Sequence, residues 1–143
     1  MLKSKLFLYL SFFVLFFLIT NVFAQEKYVV EVERIIDGDT FVIDWPTLPF
    51  GMNKVSIRIR GIDTPEIHSK CEKEKTSAET SKSFLSNWIL HKQVIIANCE
   101  NDKFGGRWLC DVEYKNSEVS STMIVNGFAR PYNGEKKIPW CVK

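Results

Sequence analysis

The sequence lacks several features that would assign a function directly. It has no internal repeat and no low-complexity segment, and it contains no Cys-x-x-Cys pair. Its two histidines, His68 and His91, are not spaced with the cysteines as the ligands of a zinc site would be. At 143 residues, the chain is long enough for one compact domain with a hydrophobic core.

Hydrophobic residues are concentrated near the amino terminus, where they indicate an export signal. Lys3 and Lys5 precede an uncharged apolar run over residues 6–20, and the segment 22–24 then offers a signal peptidase site. We expect residues 1–24 to be a signal peptide and residues 25–143 to be one periplasmic or extracellular domain. The alternative is an uncleaved membrane anchor, because the uncharged stretch approaches the roughly 20 residues of a spanning helix. A cleaved chain is expected to be monomeric and to have no stable membrane association.

An excess of positive charge is also absent from the predicted exported domain. Of the nineteen Lys and Arg residues, Lys3 and Lys5 belong to the signal, which leaves seventeen against seventeen Asp and Glu. A near-neutral domain cannot hold nucleic acid through bulk charge alone. Any such affinity must come from local patches or from a bound metal ion.

Alternating apolar and polar residues predict five short strands. They cover residues 28–36, 40–43, 55–60, 93–99 and 108–114, with an Asp37-Gly38 turn after the first and a loop at 46–51 after the second. In the third strand, Arg58 and Arg60 alternate with apolar residues, which predicts that both arginines face away from the core.

Two helices are predicted between and after these strands. The first covers residues 73–91 and presents a stripe of Ala78, Leu85, Trp88 and Ile89, while the second covers 119–126 and ends at Gly127. Three strands before the first helix favour a small closed or nearly closed barrel with helices packed on it. The expected fold class is α+β.

All four cysteines lie in the predicted exported domain, and an even number there indicates two disulfides. Antiparallel pairing of the fourth and fifth strands brings Cys99 close to Cys110. We therefore expect a Cys99–Cys110 bond and, by elimination, a Cys71–Cys141 bond that pins the tail to the start of the long helix.

Four acidic residues in two turns, together with two arginines, indicate a site that could bind a metal ion or carry out catalysis. Asp37 and Asp39 lie in the first turn, and Asp63 and Glu66 lie in the turn after the third strand. Such carboxylates can bind a hard metal ion, act as an acid/base pair or simply stabilise turns. Planar guanidinium groups such as those of Arg58 and Arg107 match the oxygens of a phosphodiester.

Taken together, these residues resemble the staphylococcal nuclease (thermonuclease) family. The matching segments follow the family order over most of the domain, from about Val30 to Ala129. They are Asp37-Gly38-Asp39-Thr40, Ile57-Arg58, Ile62-Asp63-Thr64-Pro65-Glu66, Asp102-Lys103-Phe104-Gly105-Gly106-Arg107 and Val125-Asn126-Gly127-Phe128-Ala129.

The resemblance implies a five-stranded OB-fold barrel with two to three packed helices, which cleaves DNA and RNA phosphodiester bonds in the presence of Ca²⁺; endo- and exonucleolytic attack both remain open. It implies that Asp39 and Asp63 bind the ion through carboxylates and Thr64 through its carbonyl, with Asp37 supporting Asp39. Glu66 would act as, or help to position, the general base. The roles implied for Arg58 and Arg107 are phosphate binding and transition-state stabilisation.

The sequence departs from the larger family members in three places. The loop after Glu66 is shorter and carries Cys71, Gly105-Gly106 adds a residue before Arg107, and the long carboxy-terminal helix is replaced by residues 138–141. Either Phe104 or Tyr132 is a candidate for stacking on a base. A Cys71–Cys141 bond would take over the clamping role of the missing helix.

Two other functions remain open at the level of sequence. One is a non-catalytic OB-fold module that binds single-stranded nucleic acid through a groove with aromatic platforms. The other is a structural protein whose acidic turns only cap strands. The presence of all the carboxylates and both arginines favours the nuclease.

Overall fold

The computed structural model describes residues 26–45, 53–103 and 105–141. The predicted signal over 1–24, the loop over 46–51 and the candidate stacking residue Phe104 lie outside the described residues. No helix in the described part of the chain is long and apolar enough to cross a bilayer.

Three antiparallel strands form the first half of a barrel, and they follow the predicted alternation closely. They are β1 (Lys27–Ile35), β2 (Thr40–Asp44) and β3 (Lys54–Ile59). The Asp37-Gly38 turn joins β1 to β2, where Ile36 N donates to the carbonyl of Thr40. Because β2 lies between its two neighbours, its residues from Thr40 to Ile43 are all buried.

Two further long strands close the barrel. The short β4 (Ile62–Asp63) follows β3, and after the first helix come β5 (Gln93–Asn101) and β6 (Trp108–Tyr114). β5 pairs antiparallel with both β1 and β6, and β6 pairs in parallel with β3. This parallel pair makes a closed, mixed, five-stranded barrel of β1, β2, β3, β5 and β6, which confirms the predicted fold class.

Helix α1 (Glu72–Ile89) packs one face on the barrel and positions the first acidic turn. Its buried residues are Ala78, Ser81, Leu85 and Ile89, whereas Trp88 of the predicted stripe is only partly buried. A Cβ at Gly38 would lie 2.1 Å from the Ser81 hydroxyl oxygen. Glycine at this position therefore allows the helix to approach the turn that carries Asp37 and Asp39.

The last part of the chain is mostly irregular. β7 (Ser117–Glu118) leads into helix α2 (Val119–Val125), and β8 (Arg130–Pro131) pairs with β4. Gly127 has φ of 76°, as predicted for a left-handed residue that ends a helix. Residues 132–141, which we call the carboxy-terminal arm, contain no helix or strand.

Both predicted disulfides are present. Cys99 and Cys110 join β5 to β6, with their Cα atoms 4.2 Å apart. Cys71 and Cys141 connect the residue before α1 to the end of the arm, with a Cα separation of 6.5 Å. The second bond brings the arm to the region that follows Asp63 and Glu66.

Candidate active site

Asp39 and Arg58 form a buried ion pair at the edge of the barrel. Thr40 and Arg58 are register partners in the β2–β3 pair, which places the Arg58 side chain beside the acidic turn. Arg58 Nη1 lies 2.6 Å from Asp39 Oδ1, and the Thr40 hydroxyl donates to the same oxygen at 2.8 Å. Arg58 Nη2 donates to the carbonyl of Ile62 at 3.2 Å, which links this pair to the second acidic turn.

The alternation that predicted an outward-facing Arg58 and Arg60 did not predict how different the burial of the two side chains would be. Arg58 is only 8% exposed, because the acidic turn and the segment at Ile62 cover the outer side of β3 at that point. Arg60 is partly exposed and bonds to Asp111, Glu100 and two backbone carbonyls of β5 and β6. The two arginines therefore have different environments, and Arg58 alone contacts Asp39.

Asp39 has an unusual protonation equilibrium for an ion-paired carboxylate. Burial raises its pKa to about 6; Arg58 acts against this shift, and the nearby charge of Asp37 adds to it. Asp37 Oδ1 also accepts a hydrogen bond from Asp39 N at 3.1 Å, so the Asp37 side chain stabilises the backbone of the turn. Arg58 alone does not fully compensate the buried negative charge.

Asp63 and Glu66 are held by a cation from the carboxy-terminal arm. Lys137 Nζ lies 2.7 Å from Asp63 Oδ1 and 2.8 Å from Glu66 Oε1. Burial lowers the pKa of Lys137, but the contacts with Asp63 and Glu66 outweigh this effect and leave the pKa raised. Asp63 is buried, whereas the side chains of Glu66 and Lys137 are 59% and 40% exposed.

The arm that carries Lys137 has further contacts with this region. Trp140 Nε1 donates to Asp63 Oδ2 at 2.9 Å. The Arg130 guanidinium lies 3.7 Å from the centre of the Trp140 ring and donates to the carbonyl of Pro139. Together with the Cys71–Cys141 bond, these contacts hold the arm over the second acidic turn.

Arg107 and Arg58 line the same cavity. This cavity has a volume of about 680 Å³ and is also lined by Arg60, Tyr132 and Lys137. Arg107 Nε donates to the buried carboxylate of Asp102, which orients the guanidinium group. The predicted candidates are thus brought together as two groups, with Arg58 and Arg107 on this cavity and Asp63 and Glu66 on a neighbouring one.

Thr64 directly follows Asp63 in sequence and is 3% exposed. Its methyl group would be 3.0 Å from a Cβ at Gly38, which places Thr64 against the first acidic turn. The two turns that supply Asp39 and Asp63 are therefore packed against one another through small residues.

The carboxylate oxygens at this site are the type of ligand that a hard divalent cation prefers. Asp63 Oδ1 is buried and accepts no hydrogen bond from the described residues; only the Lys137 ammonium approaches it as an ion pair. Buried carboxylate oxygens of this kind are ligands of Ca²⁺. However, no three acidic, histidine or cysteine side chains in the described ranges are already grouped to hold a metal ion. The position beside Asp63 thus accepts a positive charge, and Lys137 supplies it.

Sequence reasoning missed Lys137, Trp140 and Asp102 as members of the site. Lys137 and Glu66 are 71 residues apart, and no local pattern connects them. The predicted Cys71–Cys141 bond was the available signal, since it places Cys141, four residues after Lys137, beside Cys71, five residues after Glu66.

Comparison with known proteins gives a family and two relatives. The family model for staphylococcal nuclease homologues matches residues 56–139. The chain is 28% identical over 123 residues to a Haemophilus influenzae protein named an uncharacterized endonuclease, covering 86% of this chain and 63% of the relative. It is 28% identical over 127 residues to a probable endonuclease of Schizosaccharomyces pombe, covering 72% of this chain and 55% of the relative. The chain therefore spans less than two thirds of the length of either relative.

Proposed function

The chain belongs to the family of staphylococcal nuclease homologues, and we propose that it is an exported nuclease that hydrolyses DNA and RNA phosphodiester bonds with Ca²⁺. The observation that carries this proposal is the placement of Arg58 and Arg107 on one cavity beside the buried carboxylate of Asp39. Both relatives are named endonucleases, which supports an endonucleolytic hydrolase.

The two arginines would bind the scissile phosphate. Arg58 is held by Asp39 and by the carbonyl of Ile62, and Arg107 is held by Asp102. Because these contacts fix both guanidinium groups before substrate arrives, the cations need little reorganisation as negative charge develops on the phosphate. Such preorganised charge is usually the largest contribution to catalysis.

The carboxylates would bind the ion and activate the attacking water. Asp39, Asp63 and the carbonyl of Thr64 are the proposed ligands, and Glu66 is the proposed general base. When bound, Ca²⁺ would supply positive charge that offsets the charge gained by the phosphate in the transition state. Glu66 suits its role because its side chain is exposed on the cavity wall and can accept a proton from water.

Export is supported by the sequence signal and by the two disulfides. Disulfides persist in oxidising compartments and are rare in the cytosol. We therefore place the working protein in the periplasm or outside the cell, as a monomer that acts on nucleic acid there.

The decisive variant is Glu66→Gln, which removes the proposed base and preserves its size. We expect cleavage of single-stranded DNA to fall by about 10² to 10⁴-fold, the usual contribution of a general base. DNA affinity measured by fluorescence anisotropy should change little, because the arginines remain.

The matched control is Glu72→Gln, which neutralises an exposed carboxylate whose described contact is an ion pair with Lys75. Its cleavage rate should equal that of the wild type. Undiminished cleavage by Glu66→Gln would remove Glu66 from the mechanism. A wild type that binds DNA and never cleaves it would identify a binding module instead.

A further inference from the structure

We propose that the carboxy-terminal arm is a gate on the ion site, in which Lys137 occupies the cation position beside Asp63 and Glu66 and must leave before a divalent ion binds. The inference deepens the proposed function and rests on it for the identity of the ion. It adds a competitor that the chain itself supplies, and it assigns the Cys71–Cys141 bond as the tether that keeps this competitor in place.

The contacts of Lys137 are those of a cation at an acidic site. Its ammonium group bridges the buried Asp63 Oδ1 and Glu66 Oε1 at 2.7 and 2.8 Å. Trp140 donates to the remaining carboxylate oxygen of Asp63, so two arm residues together engage both oxygens. A ligand approaching Asp63 from the cavity side therefore meets the arm first.

A divalent ion and the Lys137 ammonium cannot share this position. Both are cations that need the same carboxylate oxygens, and like charges at this distance repel strongly in the low effective dielectric of a protein surface. Binding of the ion must therefore displace Lys137, and the observed affinity for the ion is reduced by the fraction of molecules in which the arm is closed.

Lys137 also borders a second cavity that its side chain could enter. It lines the cavity of Arg58 and Arg107 as well as the cavity of Asp63 and Glu66. A displaced ammonium group can thus turn toward the cavity where the phosphate is proposed to bind. The same side chain would then change from competitor of the ion to a third cation for the substrate.

The arm lacks regular structure between two points of attachment, an arrangement that would allow local movement without detachment. Residues 132–141 contain no helix or strand, and the Lys137 side chain is 40% exposed. Tyr132 N donates to the carbonyl of Gly61 at one end, and Cys141 is bonded to Cys71 at the other. Because both ends are fixed, the ammonium group has a high effective concentration at the carboxylates.

The test is calcium binding by isothermal titration calorimetry on the purified protein, without nucleic acid. Lys137→Met should lower the dissociation constant by about tenfold, a typical size for coupling between two bound groups. Lys136→Met is the matched control because it removes the same charge one residue away, and the described residues show no ion pair for Lys136. Its dissociation constant should equal that of the wild type.

A second variant tests the tether without changing any charge at the site. The double variant Cys71→Ser/Cys141→Ser should also bind Ca²⁺ more tightly than the wild type, and its Cys99–Cys110 bond remains intact. Thermal melting with and without Ca²⁺ gives a parallel readout, since an ion that binds the native state raises the melting temperature.

The outcomes separate the gate from the proposed function. Equal or weaker calcium binding by Lys137→Met, with a wild type that does bind the ion, would overturn the gate alone. An absence of calcium binding in all four proteins would overturn the gate and the calcium dependence together. Cleavage of DNA by those proteins would still support a nuclease.

Discussion

Asp39 and Asp63 are both buried carboxylates of the proposed ion site, but their positive partners come from different kinds of structure. Asp39 is paired with Arg58, which lies in the barrel strand β3 and is 8% exposed. Asp63 is paired with Lys137, which lies on the irregular arm and is 40% exposed. The first cation belongs to the barrel, whereas the second is held by side-chain contacts and a disulfide.

Arg58 would therefore neutralise Asp39 permanently, whereas Lys137 could be exchanged for another cation at Asp63. A guanidinium on a strand between two neighbours cannot leave without disturbing the barrel. An ammonium group on an arm can leave at small cost and return. Under the proposed function, the same pair of acidic turns would be partly neutralised at all times and would still accept a divalent ion.

The comparison predicts that removing the two cations lowers the free energy of unfolding by different amounts. Arg58→Met should lower the free energy of unfolding by about 3 to 5 kcal/mol, because it leaves Asp39 buried without its partner. Lys137→Met should cost less, about 1 to 3 kcal/mol: its side chain and that of Glu66 are screened by water, but the buried Asp63 Oδ1 loses its ion-pair partner. Urea denaturation at neutral pH in the presence of a chelator measures both values.

Arg60→Met serves as the control for loss of an arginine from the same strand. Its contacts are on the outer side of β5 and β6, so it should affect stability without changing the pKa of Asp39. Equal losses of stability for Arg58→Met and Lys137→Met would remove the distinction between the two regions.

A smaller effect is expected in the dependence of stability on pH. The pKa of Asp39 is raised from 3.8 to about 6 by burial, against the opposing charge of Arg58. A raised pKa means that the folded protein favours protonated Asp39. The resulting stabilisation is complete below about pH 3.8 and is lost as the pH rises through about 6.

Asp39→Asn should remove this dependence. In chelator, the wild type should lose roughly 1 to 2 kcal/mol of stability relative to Asp39→Asn between pH 5 and pH 8. Arg58, Asp37 and Thr40 are the groups that face Asp39, and the substitution leaves all three in place. Parallel stability curves for the two proteins would contradict the raised pKa.

Local sequence patterns were sufficient to predict most of the barrel. The alternation of apolar residues located the five long strands, with β6 at the predicted bounds and β5 extending two residues further to Asn101. Both disulfides followed from strand pairing and elimination, and the structure confirms them. These features depend on short-range periodicity or on a small set of possible pairs.

Contacts between distant segments could not be predicted in this way. Alternation correctly placed Arg58 on the outer face of β3, but it could not show that the two acidic turns bury it there. The short β4–β8 pair and the contact of Lys137 with Glu66 also join segments about 70 residues apart. Such contacts are decided by tertiary packing, and no residue pattern near either partner records them.

The roles of Asp39, Thr64, Asp63, Glu66, Arg58 and Arg107 stay predictions that follow from the family resemblance and the geometry. Cleavage of single-stranded DNA by the purified protein, measured in Ca²⁺ and in excess chelator, tests the central claim most directly. We predict rapid cleavage with Ca²⁺ and loss of cleavage in chelator that added Ca²⁺ restores. Equal cleavage in both conditions would contradict the ion's role, and no cleavage in either would contradict the nuclease.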